Sequence, residues 1–398
     1  MTRIYLDNAA TSFPKPPGVA EAVYDYMTSY GCSINRGCYS TAYHIEEMVY
    51  ETRLLLCRFF GGNDPAEVVF TKNVTESLNI LMKGLLKPGD HVLVSSMEHN
   101  AVMRPLRQLE KTGVSFTRIP CDHNGRLQAS SAMPTDDVFP ESLVRSNTRA
   151  VIMTHASNVC GTVLPIEKTG RFCKEHGLIF IVDTAQTAGI LDIDIEKMCI
   201  DALAFTGHKG LLGPQGIGGF ILNRRLAEQL EPLLSGGTGS VSHTEELPRS
   251  MPDRFEAGTP NLPGIAGLNS SLKWLKERGT ASLYEHELLL TRHFLDAIRP
   301  LEDQGLLRII GIEPVKQLFL PDRVGVVSVQ TLKHDLSEIA YQLDSQYGIQ
   351  TRVGLHCAPS AHKTLGTYPT GTIRFSFGWA NTFDECDAAA QALAELCN

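Results

Sequence analysis

Lys209 is the residue whose surroundings most suggest covalent chemistry. It stands in FTGHKGLLGPQG (205–216), between an apolar segment that predicts a strand and a glycine-rich loop. Most lysines lie on solvated faces, but a lysine at a strand end can form a Schiff base with an aldehyde cofactor. Pyridoxal phosphate is such a cofactor, and it also needs a carboxylate for its ring nitrogen and a cradle for its phosphate. Asp183, at the end of LIFIVD (178–183), is the candidate carboxylate, although an Asp there also commonly caps a helix.

Other polar residues could complete such a cofactor site. A predicted helix begins at Asn73-Val74-Thr75, and its free backbone N–H groups and dipole would attract a phosphate. Thr206 and His208 flank the lysine and could add donors. Gln186 could donate to the ring oxygen, and His99 could stack on the ring or simply cap a strand end.

Cys357 is the candidate nucleophile, in RVGLHCAP (352–359). A cysteine without context is more often a buried packing residue than a catalytic one. Catalysis requires the thiolate, and positive charges on Arg352 and His356 would favour it. The sequence around Cys357 leaves both interpretations open.

The elements that must position these residues alternate between strand and helix patterns. A helix is predicted over 46–60, and others begin at residues 73, 100 and 166. Such alternation predicts a mostly parallel α/β sheet with helices on both faces, where ligands bind beyond the carboxyl ends of the strands. Asn158 also falls just past a strand end, as Asp183, His99 and Lys209 do. The predicted strands are 67–71, 91–96, 150–157, 178–183, 201–208 and 218–223.

After Leu262-Pro-Gly264 the pattern changes to long helices, over 265–278 and 281–299, followed by strands and helices of a smaller α+β unit. Cys357 falls on a loop of that unit. We therefore predict a large domain over 16–262, and a small domain formed by 1–15 and 263–398.

Composition excludes several classes of function. The chain has 398 residues and a formal net charge of −8, without a long basic run, so nucleic acid is not a predicted partner. The first residues lack the apolar core of a secretory signal, and no apolar run approaches the length of a membrane span. We expect a cytoplasmic protein with ten reduced cysteines. No C-x-x-C pair occurs, and no metal site is predicted.

Taken together, the motifs resemble those of class V pyridoxal-phosphate enzymes, and within them the cysteine desulfurase and selenocysteine lyase branch. The cysteine loop is similar to the R-x-G-x-H-C-A loop of its second group. The chain departs from that group at Val353, Leu355, Asn35 and Asn100. The resemblance covers essentially the whole chain through YLDNAAT (5–11), SMEHNA (96–101), HASNVCGT (155–162), VDTAQTAG (182–189), FTGHKGLLGPQGIG (205–218), FEAGTPN (255–261) and RVGLHCAP (352–359).

The resemblance implies the fold type I architecture of these transferases, with a seven-stranded type of sheet in the large domain. It implies that Lys209 binds the cofactor, that Cys357 accepts sulfur from the substrate, and that His99 stacks on the cofactor ring. The further cofactor-binding residues it implies are Asp183, Gln186, Asn158, Val74, Thr75, Thr206, His208 and, toward the phosphate of a neighbouring subunit, Thr259. The substrate-binding residues it implies are Arg374, Arg352, Asn8, Ala9, Arg36 and His356.

The implied reaction is the removal of sulfur from L-cysteine, which gives L-alanine and a persulfide on Cys357. The implied partners are a second copy of the chain that shares the active sites and a sulfur-acceptor protein. Three alternatives stay open at this stage. The first is a selenocysteine lyase acting on L-selenocysteine. The second is an aminotransferase, β-lyase or epimerase in which Cys357 is not catalytic, and the third is a binding protein on the same fold.

Overall fold

The structure is a computed structural model that describes residues 3–34, 37–128, 138–241, 243–312 and 322–398. The strands in these residues are β1 Ile4–Tyr5, β2 Val68–Thr71, β3 His91–Ser95, β4 Ser115–Ile119, β5 Thr148–Thr154, β6 Ile179–Asp183, β7 Ala202–Thr206, β8 Gly218–Leu222, β9 Leu307–Ile310, β10 Val326–Thr331, β11 Ile349–Gln350, β12 Arg352–Gly354 and β13 Thr372–Ser376. The α-helices are α1 Val19–Asp25, α2 Ser40–Phe59, α3 Val74–Leu85, α4 Asn100–Glu110, α5 Ile166–Glu175, α6 Arg224–Ala227, α7 Leu262–Arg278, α8 Thr280–Asp303, α9 Leu336–Tyr347, α10 Pro359–Thr364 and α11 Phe383–Cys397.

A large sheet has the strand order β2-β8-β7-β6-β5-β3-β4. Its neighbours pair in parallel from β4 to β7, whereas β8 is antiparallel to both β7 and β2. The predicted mostly parallel α/β sheet is therefore confirmed. Because the parallel strands share one direction, Ser95, Thr154, Asp183 and Thr206 end them at the same edge of the sheet.

Helices cover both faces of this sheet, because side chains of successive strand residues point to opposite sides. In β5, Val151 and Met153 join a core with α2, α5 and α7. Ala150 and Ile152 join a second core with α3 and α4. The predicted domain boundary at residue 262 falls at the start of α7, whose buried residues lie in the first of these cores. Helix α2 begins at Ser40, earlier than the predicted residue 46.

A smaller antiparallel sheet, in the order β12-β13-β10-β9, packs against α8, α9 and α11 around a core of its own. Strand β1 pairs with β11, and Asp7 bridges to Ser376 next to the end of β13. Residues 4–15 thus run from the small sheet toward the edge of the large one, where Ser12 N donates to His208 O. In the described part of the chain, no helix is long and apolar enough to cross a membrane.

Candidate active site

Lys209 and Asp183 lie together at the carboxyl ends of the parallel strands of the large sheet. Asp183 ends β6, is 2 % exposed, and accepts a hydrogen bond from Ala185 N at 2.9 Å. Burial raises the pKa of Asp183. Burial lowers the pKa of Lys209 to about 8, and the nearby carboxylate of Asp183 opposes that shift. A lysine with such a pKa has a substantial neutral fraction near neutrality, as a nucleophile or a base requires.

The donors around this edge fit a phosphate group. Thr206 Oγ1 and His208 Nδ1 are buried and have no hydrogen-bond partner in the described residues. Helix α3 begins at Val74, and its first amide groups point out of the helix toward any anion at this end. Strand β8 passes close by, since a Cβ at Gly218 would lie 2.8 Å from Asn73 Cα. Unpartnered buried donors need an acceptor, and pyridoxal phosphate supplies both a phosphate and an aldehyde for Lys209.

His99 precedes α4 and caps it, with Nδ1 accepting from Ala101 N at 3.0 Å. Burial, followed by the charges of Lys209 and Arg352, lowers the pKa of His99 to about 4. The ring is therefore neutral at physiological pH, and because Nδ1 is the acceptor, its proton is on Nε2. Such a ring can stack on an aromatic cofactor and donate one proton at Nε2.

Arg374 forms a strongly positive site on β13. Its side chain is 1 % exposed, with Nη1 donating to Asn158 O at 3.0 Å and Nη2 to Asp7 Oδ1 at 2.6 Å. Its Nε is buried and has no partner among the described residues. Arg352 lies directly across on β12. Two adjacent guanidinium groups, one with an unused donor, suit a small carboxylate anion.

Cys357 lies exposed on a short loop between β12 and α10. Two consecutive residues of this loop, His356 and Cys357, have φ angles of 47° and 57°, a left-handed conformation that side chains disfavour. Hydrogen bonds from the large sheet's edge hold both carbonyls: Asn158 Nδ2 donates to His356 O at 2.7 Å, and Asn100 N to Cys357 O at 2.8 Å. Arg352 Nη2 lies 3.8 Å from Cys357 Sγ.

His356 does not act on Cys357 through a positive charge, as its sequence position suggested. Its side chain is 3 % exposed, and burial lowers its pKa to about 2, with Arg374 next in effect. The neutral ring points inward, where Nε2 bonds Thr372 Oγ1 at 2.9 Å. The expectation of a charged His356 is wrong because the loop buries the ring in the small-sheet core instead of placing it beside the thiol. Arg352 is the cation that contacts Cys357 Sγ.

Of the remaining predicted residues, Gln186, Asn8 and Ala9 line one cavity together with Lys209. Gln186 Nε2 donates to Ala9 O at 3.1 Å, and both residues line a cavity of about 40 Å³ with Lys209, Asn8 and Glu287. The amide of Asn8 is already engaged by Ser376 O and Asn381 Oδ1.

The predicted phosphate residues Thr75 and Thr259 are both exposed. The predicted residue Arg36 lies outside the described residues.

Three residues of the site, Asp7, Glu98 and Asn100, have contacts that the sequence did not predict. Asp7 contacts Arg374 although the two are far apart in sequence, and only its place in LDNAAT beside Asn8 could have drawn attention to it. Glu98, fully buried next to His99, accepts from Ser95 Oγ and Thr154 N, and burial raises its pKa to about 8. Asn100 acts through its backbone N–H, for which no side-chain pattern gives a signal.

Comparisons with known proteins show the family to which the chain belongs. The sequence model of the family described as Aminotransferase class-V matches residues 4–389. The chain is 31% identical over 398 residues to a probable cysteine desulfurase of Methanothermobacter thermautotrophicus, covering 99% of this chain and 94% of that one. It is 34% identical over 404 residues to a probable cysteine desulfurase of Halobacterium salinarum, covering 98% and 91%.

A solved structure, the apo cysteine desulfurase of Thermococcus onnurineus, superposes with a TM-score of 0.88 at 32% identity, covering 99% of this chain and 94% of that one. The superposition therefore includes both sheets of this chain. The chain belongs to the class V aminotransferase family.

Proposed function

We propose that this chain is a pyridoxal-phosphate-dependent cysteine desulfurase that converts L-cysteine to L-alanine and carries the sulfur as a persulfide on Cys357. One observation carries the proposal: hydrogen bonds from Asn158 and Asn100 fix an exposed thiol against the strand edge that holds Lys209 and Asp183. The relatives named as cysteine desulfurases support it, since they match across nearly the whole chain.

Pyridoxal phosphate, when bound, supplies an electron sink for the α-carbon of the amino acid. Lys209 would hold it covalently, Asp183 would keep its ring nitrogen protonated, and His99 would stack on its face. Gln186 and Asn158 would contact the ring oxygen. The phosphate would be held by Val74, Thr75, Thr206 and His208, with Thr259 reaching the phosphate of a second copy.

The residues of this chain then have defined tasks. Arg374 holds the substrate carboxylate, and Lys209 takes the α-proton at Nζ. The Cys357 thiolate attacks the substrate sulfur, so that an S–S bond forms while the carbon–sulfur bond breaks. The carbon that loses sulfur keeps the electron pair and receives a proton, from Lys209 Nζ or from His99 Nε2. Arg352 Nη2 lies 3.8 Å from Cys357 Sγ and would help to position that sulfur for the attack.

The test is release of L-alanine and sulfide from L-cysteine in the presence of dithiothreitol. Wild type should release both in equal amounts. Cys357→Ala should lose both activities while keeping the visible absorbance of the lysine-bound cofactor, and Lys209→Ala should lose that absorbance. Cys199→Ala is the matched control, because Cys199 is partly exposed but lies near the amino ends of the parallel strands, opposite Lys209. Unchanged activity in Cys357→Ala would remove the persulfide step and favour another class V reaction.

A homodimer is part of the proposal. Helix α1, the π-helical segment Tyr26–Tyr30 that follows it, and helix α2 expose large side chains, including Tyr24, Met27, Tyr43 and Tyr50, each more than half exposed. An exposed apolar cluster of this kind is typical of a protein interface. A second copy covering these side chains would form a homodimer, for which sedimentation analysis should give twice the chain mass. A monomer that retains full activity would contradict shared active sites.

We also propose a cytoplasmic location. All ten cysteines are free, which suits a reducing compartment. Fractionation of the source cells with an antibody should place the chain with the soluble cytoplasmic proteins, and recovery from an oxidising compartment would contradict the proposal.

A further inference from the structure

Five exposed basic side chains surround the helix that follows Cys357, and together they form what we name the basic surface. It comprises Arg104 and Arg107 on α4, Arg118 on β4, Arg308 on β9 and Lys363 on α10.

Contacts link Arg107, Arg118 and Arg308 with α10, which carries Lys363, and Arg104 lies one turn before Arg107 on α4. Arg118 Nε donates to Ser360 Oγ on α10 at 3.1 Å. The guanidinium groups of Arg107 and Arg118 both lie over the ring of Phe116, at 4.8 Å and 5.1 Å from its centroid. Arg308 Nη2 donates to Gly366 O just beyond α10. Both ends of α10 and the neighbouring edge strand β4 therefore carry positive charge.

The charge of the basic surface is largely uncompensated. Arg107 pairs with Glu110 at 2.7 Å, but the other four basic side chains form no ion pair with the described residues. Lys363 instead lies 4.9 Å from the ring of Tyr368, which is half exposed. The whole chain carries a formal net charge of −8. A basic surface with few counter-charges attracts an acidic surface of a partner and raises the rate of encounter with it.

The basic surface lies where sulfur must leave the protein. Helix α4 begins at the residue whose N–H binds Cys357 O, so Arg104 lies about one turn from the cysteine loop. Ser360, the contact of Arg118, is only three residues after Cys357. Any protein thiol that reaches Cys357 Sγ must therefore bring its own surface next to these cations.

We propose that the basic surface binds an acidic surface of the protein that accepts sulfur from Cys357. This inference rests on the proposed desulfurase function. In the transfer, the acceptor thiolate attacks the outer sulfur of the Cys357 persulfide, a new S–S bond forms, the old one breaks, and Cys357 leaves as a thiolate. No additional oxidant or reductant is needed. The basic side chains act on the encounter with the acceptor, not on the chemistry at Lys209.

The test uses two synthetic thiol acceptors: a peptide with one cysteine among glutamates, and a peptide with one cysteine among glutamines. Alanine release from L-cysteine is measured with each peptide as the sole acceptor. In low salt, the glutamate peptide should show about a 10-fold higher kcat/KM. Because salt screens exposed charges, the difference should largely disappear between about 0.05 M and about 0.5 M NaCl.

The variant Arg118→Gln/Lys363→Gln should lose most of the advantage of the glutamate peptide and keep the rate with the glutamine peptide. Lys174→Gln/Arg225→Gln removes the same charge at the opposite edge of the large sheet and serves as the matched control. Equal rates with the two peptides, or equal effects of the two double variants, would overturn the inference. Turnover with dithiothreitol distinguishes a failure of the basic-surface proposal from a failure of the desulfurase function. If the wild type does not turn over L-cysteine with dithiothreitol, the desulfurase function itself is overturned.

Discussion

Thr372 offers a way to disturb the cysteine loop without touching any proposed catalytic residue. Its hydroxyl donates to Ser328 Oγ at 3.1 Å, and so accepts from the Nε2–H of His356 at 2.9 Å. Ser328 Oγ in turn donates to Val159 O. The substitution Thr372→Val keeps the shape of the side chain and removes the only hydrogen-bond partner that the described residues give to the His356 ring.

The size of the effect follows from burial. The other ring nitrogen of His356, Nδ1, is already buried without a described partner. Leaving Nε2 unpartnered as well costs about 1–3 kcal/mol. The left-handed conformations of His356 and Cys357 cost roughly 1–2 kcal/mol each, which is close to what the hydrogen bonds holding the loop contribute. The net free energy that favours the observed loop conformation is therefore small. A loss of about 2 kcal/mol should lower the population of this conformation, and with it the rate of alanine release, about 10-fold or more.

The assay compares Thr372→Val with Thr367→Val. Thr367 is similarly buried and bonds the neighbouring His362 at 2.6 Å, but it forms no hydrogen bond with His356 in the part of the chain that the structure describes. Both variants should lose stability to a similar degree, whereas only Thr372→Val should release alanine slowly and change the rate at which iodoacetamide alkylates Cys357. Cofactor absorbance should be unchanged in both. Equal rates in the two variants would refute the idea that the buried His356 ring holds the nucleophile in place.

Three further outcomes follow from the buried charges. In Arg374→Lys, one ammonium cannot reach both Asn158 O and Asp7 while also binding a carboxylate, so kcat/KM for L-cysteine should fall about 100-fold, mainly through KM in steady-state kinetics. Burial raises the pKa of Glu98 from 4.5 to about 8, so its contribution to stability is complete below pH 4.5 and is lost as pH rises toward 8. Between about pH 5.5 and about 7.5, the wild-type apoprotein should lose about 2.5 kcal/mol more than Glu98→Gln in urea titrations, and parallel pH profiles would contradict this. The pKa of Lys209 is about 8, so the rate at which the apoprotein binds pyridoxal phosphate, followed by stopped-flow absorbance, should rise about 10-fold per pH unit below 8 and level off above it; a rate independent of pH between 6 and 8 would exclude a lowered pKa.

The residues at the edge of the large sheet were predictable because local patterns determine them. Asp183 and Lys209 each follow a continuous apolar strand, and the carboxyl ends of parallel strands meet at one edge whatever the rest of the fold does. Strand β4 was missed because it lies at the sheet margin, where four of its five residues keep some exposure and the apolar pattern is weak. The sequence places the start of α2 too late because Ala42 is the only aliphatic residue in the first turn, and the apolar spacing becomes clear only from Ile45 onward.

The contacts around Cys357 were beyond the sequence for a different reason. Whether His356 is charged depends on which way the loop turns its ring, and the left-handed backbone at two residues that are not glycine has no residue-type signal. Asp7 and Arg374 become partners only because β1 pairs with β11 and because Asp7 bridges to the end of β13. Pairings between such distant segments depend on the tertiary fold.

The Asp7–Arg374 pair also sets a minimum time for the assembly of the site during synthesis. The two residues are 367 positions apart. At roughly 5–20 residues per second, a ribosome needs on the order of 20–70 s to extend the chain from one to the other. All seven strands of the large sheet lie before residue 223, so that sheet can form before Arg374, the residue proposed to bind the substrate carboxylate, has been made. A nascent chain can therefore form the pocket around Lys209 well before the Asp7–Arg374 pair exists, and if Arg374 binds the substrate as proposed, substrate recognition is completed only near the end of synthesis.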